Sequence, residues 1–267
     1  MNKTTSIGLL AALTVAAVTA VFLFPRIPQN PAFNHYADQR SWLNIPCTMD
    51  VLSNIPFVIA GLIGLFRLGK CSSPSANKPL VIWTVLFTGI VLTGFGSAYY
   101  HLRPDNESLV LDRLPMTIVF TSFSASMIVE RIDARTGRWL FGPLLLLGLG
   151  SVLFWHWGEQ RGVGDLRLYG LIQFFPMAAI PIMAMLFPAV YTRNRDLWII
   201  FSWYALAILF QLADAPVYNL LRVVSGHTLK HLCAAIAAWQ IVQMFTRLAA
   251  AKLRGPVNEP HAPAIVR

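Results

Sequence analysis

Apolar segments of about twenty residues recur along this chain of 267 residues, and they constrain its fold more than any other feature. A helix needs about 20 mainly apolar residues to cross the hydrocarbon core of a bilayer. Eight segments meet this requirement: Ile7–Phe24, Met49–Phe66, Leu80–Tyr100, Leu109–Val129, Trp139–Trp157, Leu168–Phe187, Leu197–Tyr218 and His227–Leu248. The sequence therefore predicts an all-α integral membrane protein, a bundle of seven transmembrane helices with one additional N-terminal hydrophobic helix.

The composition agrees with this fold class and excludes others. Hydrophobic residues make up 56% of the chain and charged residues only 12%, whereas soluble domains have about 25% charged residues. The formal net charge of +9 comes from basic residues scattered over short loops, which does not indicate nucleic-acid binding. Cys47, Cys71 and Cys233 have no CxxC spacing, so neither a disulfide framework nor a thiolate zinc site is indicated.

The two ends of the chain differ from the bundle between them. Residues 1–25 hold the additional hydrophobic helix, where Lys3 and the small residues up to Ala20 resemble a signal peptide. The apolar run continues to Phe24, however, and is long enough for an uncleaved anchor. Residues 26–253 form the predicted membrane domain, and residues 254–267, which include three prolines, form a predicted disordered cytoplasmic tail.

The lysines and arginines in the loops predict the orientation of the bundle. One set of alternate loops carries eleven of them: Arg67, Lys70, Lys78, Arg131, Arg135, Arg138, Arg193, Arg195, Arg247, Lys252 and Arg254. The opposite loops carry seven: Arg26, Arg40, Arg103, Arg113, Arg161, Arg167 and Arg222. Because cytoplasmic loops carry the excess of basic residues, the seven-helix core is predicted to have its N-terminus outside and its C-terminus in the cytoplasm.

Two histidines four residues apart, His227 and His231, begin the last apolar segment. Such a pair shares one helix face and can bind one metal ion. His101 ends an outward-running segment, so the predicted topology brings all three histidines to one depth, with Ser225 placed to cap the last helix. Three histidines from two helices suit zinc and leave a fourth position for water. The alternative is a set of interfacial or satisfied core histidines.

A serine and an aspartate are predicted to lie beside these histidines. Ser97 is one helical turn before His101, and Asp112 follows a polar turn that folds the next segment back. Asp112 is a candidate general base for water, or a partner of a metal ligand. Its alternative is a salt bridge to Arg113 or Arg103, or a charge at a helix N-terminus. Ser97 is a candidate donor to a substrate carbonyl or its oxyanion, or a hydroxyl bonded within its own helix.

Other polar residues are predicted near the same end of the bundle. Asp50 and Ser53-Asn54 suit hydrogen bonding between helices. Asp214 either pairs with Arg222 or lines the cavity, and the sequence does not decide between these two roles. The loop Gly158–Gly170 is placed to cover the outer mouth of the bundle.

Taken together, these motifs resemble those of the alkaline ceramidases. The matching features are Ser53-Asn54, Ser97-xxx-His101, Asp112 with Pro115-Met116, and Ser225-Gly-His227-xxx-His231. The alkaline ceramidases are seven-helix membrane zinc amidases of the superfamily that includes adiponectin receptors, and the resemblance covers roughly Asp38 to Leu248. It implies a zinc ion on His101, His227 and His231, with Ser97 and Asp112 as catalytic partners.

The sequence departs from the eukaryotic members in three ways. Their acidic N-terminal segment binds calcium, but Asn34–Cys47 of this chain offers only Asp38 and Asn44 beside Asn34, so calcium binding is doubtful. Lys230 stands where those members often carry tryptophan, and the additional N-terminal helix is unlike their plan. The chain looks more like the bacterial branch, which implies a bacterial inner membrane. The distribution of basic residues predicts that the site lies toward the non-cytoplasmic face of that membrane.

Two functions from different classes are compatible with these residues. The first is an intramembrane zinc-dependent hydrolase of a lipid amide, most simply a ceramide-like lipid, that releases a long-chain amine base and a fatty acid. The second is a non-enzymatic seven-helix receptor or lipid-binding protein with a structural zinc. Ser97 and Asp112 favour the enzyme, because a purely structural metal site needs neither. Zinc retention without turnover of any acyl amide would favour the second function.

Overall fold

The computed structural model describes residues 2–70 and 80–254, with side chains described up to residue 250. Over these residues the chain forms ten α-helices, one short 3-10 helix at Pro31–Asn34 and no β-strand, which confirms the all-α prediction. The α-helices are α1 Lys3–Leu23, α2 Thr48–Leu52, α3 Ile55–Gly69, α4 Leu80–Leu102, α5 Ser108–Arg131, α6 Ala134–Glu159, α7 Arg167–Leu186, α8 Asn194–Leu212, α9 Asp214–Leu221 and α10 Gly226–Arg254. Cys71 and the predicted tail after residue 254 lie outside the described residues, and the predicted domain boundaries stay predictions.

Seven stretches of the described chain are long and apolar enough to cross a membrane. They are Lys3–Leu23, Thr48–Gly69, Leu80–Leu102, Ala134–Glu159, Arg167–Leu186, Asn194–Leu212 and Gly226–Ala250. Helix α5 contains the predicted span Leu109–Val129. It is as long as these seven stretches but is not one of them. It carries four charged residues and has buried residues along its whole length. Because α5 packs against α4, α6 and α7, it needs no wide apolar face toward lipid.

Two of the predicted spans are divided by a break. Met49–Phe66 becomes α2 and α3, which are separated at Ser53-Asn54 and followed by Pro56 in the first turn of α3. Leu197–Tyr218 becomes α8 and α9, which are separated at Ala213, where φ is −101° and ψ is 23°. A break frees backbone groups that a continuous helix would satisfy internally. Both breaks lie at the end of the bundle where α4 ends and α10 begins, which is called the outer end below.

Glycine allows the helices to approach closely at this outer end. A Cβ atom at Gly96 of α4 would collide with the carbonyl oxygen of Leu111 in α5. A Cβ atom at Gly226, where α10 begins, would collide with the carbonyl oxygen of Phe210 and lie 2.6 Å from the Cα atom of Asp214. Small residues permit this backbone contact between membrane helices. Gly96, Leu111 and Gly226 each adjoin a candidate site residue in sequence.

Residues 25–47, the outer strap, connect α1 to α2 across the outer end. Arg113 of α5 donates a hydrogen bond of 2.7 Å to the side-chain oxygen of Gln29, and Arg40 donates one of 2.7 Å to the carbonyl of Val223. Arg40 is also paired with the buried Asp38. Burial alone would raise the pKa of Asp38, but its hydrogen bonds from Arg40 outweigh burial and hold that pKa below its ordinary value. The strap is therefore fixed to the helices at both of its ends.

Helix α1 is peripheral. It packs mainly against α7 and buries only Ser6. Arg167, where α7 begins, donates hydrogen bonds to the carbonyls of Phe22 and Phe24, at 3.2 and 2.6 Å. The loop between α6 and α7 then contacts the strap, since the backbone of Leu166 donates to that of Ile27 at 2.8 Å. The outer end is thus covered by strap and loop together.

Candidate metal centre

Three buried histidines meet at the outer end. Each of His101, His227 and His231 is at most 3% exposed. Each offers one ring nitrogen, and these three atoms all lie within 4.8 Å of one another. The Nε2 atoms of His101 and His227 are 3.2 Å apart. Two tetrahedral ligands at a Zn–N distance of about 2.0–2.1 Å are about 3.3–3.4 Å apart, so the three-histidine group can hold a metal ion and is compatible with zinc.

Local sequence places these histidines on the ends of two helices. His101 is in the last turn of α4, and His227 and His231 are in the first two turns of α10. The Ser225 hydroxyl accepts a hydrogen bond of 3.0 Å from the backbone N–H of Thr228, so the predicted cap of α10 is confirmed. This cap fixes the first turn of the helix and, with it, the direction of both histidines.

The break between α2 and α3 orients His231. The Ser53 hydroxyl donates to the backbone carbonyl of Asp50 at 3.0 Å and lies 2.8 Å from Nδ1 of His231. Since a hydroxyl has one proton, the Ser53 oxygen accepts from an Nδ1–H of His231, which leaves Nε2 unprotonated toward the other histidines. The Asp50 carboxylate accepts 2.6 Å and 3.4 Å hydrogen bonds from Thr228 and Ser225. The predicted interhelical bonding is therefore present for Asp50 and Ser53, whereas the Asn54 side chain donates locally to the carbonyl of Asp50 at 2.8 Å.

Ser97 and Asp112 lie beside the histidines, and both are buried. The Ser97 hydroxyl is 3.5 Å from Nε2 of His231 and lies close to the carboxylate of Asp112. The alternative salt bridges of Asp112 do not form, because Arg103 pairs with Asp105 and the Arg113 guanidinium stacks on Trp155 instead. The chain thus brings all five predicted site residues to one place.

Asp214 has a role that the sequence left open. Its carboxylate accepts a 2.7 Å hydrogen bond from the backbone N–H of His227 and a 2.9 Å one from that of Ala37. It pairs with neither Arg222 nor any other cation among the described residues. A carboxylate at this point accepts a hydrogen bond from a backbone N–H that has no partner within α10. Its negative charge also interacts favourably with the positive end of the helix dipole. Asp214 therefore joins the outer strap directly to α10, the helix that carries His227 and His231.

Tyr36 of the outer strap covers two of the histidines, and sequence reasoning missed it. Its ring centroid lies 4.7 Å from that of His101 and 4.3 Å from that of His227. Its hydroxyl donates to Tyr100 at 2.7 Å, and Tyr100 donates onward to Asn34 at 2.7 Å. Burial and the neighbouring Tyr100 raise the pKa of Tyr36 well above its ordinary value, so the hydroxyl stays protonated. The only sequence signal was that Tyr36 is one of three aromatic residues in a mostly polar segment, with Phe33 and Trp42.

Among the residues that the structure describes, Lys230 is the lysine close to this group. It lies between the two histidines of α10, is partly exposed and interacts electrostatically with Asp112, Asp50 and Asp214. In the described part of the chain it forms no salt bridge with any of them. Lys230 is thus within electrostatic range of three carboxylates at the outer end.

The family model for Ceramidase matches residues 45–260. The chain belongs to the ceramidase family. The resemblance stated from the motifs is confirmed at this level, and the bacterial branch stays a prediction. The match in this ceramidase-family chain includes all five predicted site residues, whereas Tyr36 and most of the outer strap precede it. No match was found among curated proteins or among solved structures.

Proposed function

We propose that this protein hydrolyses the amide bond of a ceramide-like membrane lipid and releases a long-chain amine base and a fatty acid. Family membership supports the amide hydrolase class and a lipid substrate. The single observation that carries the proposal is the convergence of Ser97 and Asp112 on the three histidines. A receptor with a structural metal would account for the histidines but not for the serine and aspartate beside them.

The histidines fit a zinc ion by their chemistry as well as their spacing. Three neutral imidazoles are a usual catalytic zinc set. Buried Nε2 atoms that face each other at 3.2 Å would be costly without a cation or a shared proton between them. Zinc, when bound there, would supply a Lewis acid for water and for the amide carbonyl. We assign His101, His227 and His231 as its ligands.

Side chains of the protein then carry out the proton transfers. Asp112 accepts a proton as water adds to the amide carbon, and returns it to the nitrogen as the C–N bond breaks, so that an acid and an amine leave. Ser97 is placed to donate a hydrogen bond to the carbonyl oxygen as negative charge develops on it. Tyr36 and the outer strap exclude bulk water from the histidines. Lys230 balances part of the carboxylate charge around them.

The test is hydrolysis of a panel of N-acyl lipids by the purified protein, with both products measured by mass spectrometry. Asp112→Asn should lower turnover by roughly 10²–10⁴ while metal is retained, because the proton acceptor is lost and the ligands are not. Ser97→Ala should lower turnover by roughly 10–10³. Asp133→Asn is the matched control, since it makes the same charge change at the opposite end. An Asp112→Asn protein with the parent rate would remove Asp112 from the mechanism.

We also propose that the site faces the non-cytoplasmic side of a bacterial inner membrane, with the C-terminus in the cytoplasm. Besides the distribution of basic residues in the loops, Lys3 lies near Asp133 at the end opposite the histidines and so adds a positive charge to the proposed cytoplasmic side. Reporter fusions at Arg267 and within Gly158–Gly164 test it. The fusion at Arg267 should report the cytoplasm, and a cytoplasmic signal from the Gly158–Gly164 fusion would reverse the assignment.

A further inference from the structure

A shallow, open pocket of about 440 Å³, called the groove below, lies on the surface where α6 begins, at the end of the bundle opposite the histidines. It is lined by Arg135, Arg138, Trp139 and Gly142. These residues are spaced i, i+3, i+4 and i+7 and so form one face of the first two helical turns. Because α6 is one of the helices able to span a membrane, this face lies where the helix enters the bilayer.

The groove has two positive charges without partners. In the described part of the chain, neither Arg135 nor Arg138 has a side-chain hydrogen bond or an ion pair. The nearest acid in sequence, Asp133, accepts 2.7 Å and 2.9 Å hydrogen bonds from Thr136 and caps α6 with them. Guanidinium groups in this situation bind phosphate oxygens in a bidentate manner.

The rest of the groove suits the remaining parts of a lipid. Trp139 is 73% exposed at this position, as tryptophan is at membrane–water interfaces. A Cβ atom at Gly142 would meet nothing within 4 Å, so there is open space one turn below the arginines for the glycerol and the start of an acyl chain. Pro143 has no N–H to offer the carbonyl of Trp139, which leaves that oxygen available to a hydroxyl donor.

We propose that this groove binds the headgroup of an anionic phospholipid, with phosphate on Arg135 and Arg138 and a hydroxyl-bearing group such as glycerol near the Trp139 carbonyl. The proposal is independent of the amide hydrolase function. Its ligand is part of the membrane and is not the substrate, because the groove is at the end of the bundle opposite the histidines. Bound lipid would anchor this end of α6 at the membrane surface.

Binding can be measured by native mass spectrometry of the full-length protein titrated with phosphatidylglycerol or phosphatidylcholine. We expect the protein to bind phosphatidylglycerol roughly thirtyfold more tightly than phosphatidylcholine. This ratio follows from the combined binding free energy of two basic side chains next to an anionic lipid. Arg135→Gln with Arg138→Gln should abolish that preference. The matched control, Arg193→Gln with Arg195→Gln, removes two exposed arginines where α8 begins and should keep it.

A second variant tests the shape of the groove with both arginines intact. Gly142→Leu should lower phosphatidylglycerol binding, whereas Gly150→Leu, at another glycine with open space around it, should not. If both double arginine variants lost the preference for phosphatidylglycerol equally, binding would depend on general surface charge, and the proposal would be overturned. Inorganic phosphate that binds as tightly as the lipid, with no effect of Gly142→Leu, would identify a free-phosphate site and would also overturn it.

Discussion

The two ends of the helical bundle both bury polar side chains, but they use them differently. At the inner end, opposite the histidines, each buried acid contacts a complementary group. Glu130 accepts hydrogen bonds of 2.6 and 2.8 Å from the backbone N–H groups of Tyr191 and Thr192, and Asp196 pairs with Arg247. At the outer end, like groups face each other, since two histidine Nε2 atoms lie 3.2 Å apart. Acids that contact complementary groups hold helices together, whereas three histidine nitrogens that converge on one point are suited to a bound cation.

The largest expected effect concerns the histidines. The double variant His227→Ala, His231→Ala should lose the bound metal, from about one ion per chain to background, because one imidazole cannot hold it. Turnover should fall to the uncatalysed rate. Metal analysis of purified protein gives the first result, and His35→Ala, an exposed histidine of the strap, is the control. Unchanged metal content in the double variant would refute the ligand assignment.

A smaller effect is expected where the outer end supports the ligands indirectly. Ser53→Ala removes the hydroxyl that holds Nδ1 of His231, and such partners are typically worth 10–100-fold in metal affinity. Competition with a chelator measures this change. Ser124→Ala is the matched control, because the Ser124 hydroxyl bonds only a carbonyl of its own helix. Equal metal affinity in both variants would mean that Ser53 does not orient the histidine.

At the inner end, a substitution should lower the stability of the fold and leave turnover unchanged. Glu130→Gln weakens the acceptor for the two backbone N–H groups and should lower the free energy of unfolding by about 1–3 kcal/mol. Turnover at moderate temperature should stay the same, because Glu130 is remote from the histidines. Thermal unfolding and the amide assay measure the two quantities, with the mostly exposed Glu107 as the control position. A loss of turnover without loss of stability would break the contrast between the two ends.

The sequence predicted those parts of the site that lie on regular helices. The spacing of His227 and His231, and the position of Ser97 one turn before His101, depend only on helical periodicity. The topology then placed Asp112 near them, although the contact itself also needs the close approach at Gly96. The helical class followed equally well from the apolar segments.

What the sequence did not predict lies at irregular backbone. The breaks at Ser53-Asn54 and Ala213 interrupt runs whose composition is that of a continuous span. Tyr36 belongs to a strap whose backbone is irregular, with left-handed residues at Leu43, Asn44 and Cys47. The periodicity of the sequence does not predict such a backbone. The position of Tyr36 depends on long-range contacts, such as that of Ala37 with Asp214, rather than on local pattern.

The outer strap has a consequence for the kinetics of this protein. With Tyr36 on the histidine rings and the loop after α6 beside it, the path from the aqueous outer face is covered. We therefore expect the proposed lipid substrate to reach the site by diffusion in the plane of the membrane. The concentration that governs the rate is then the mole fraction of substrate in the bilayer, not the amount per volume of water. Diluting the substrate with inert phospholipid should slow the reaction at constant bulk concentration, whereas adding buffer should leave the rate per protein unchanged.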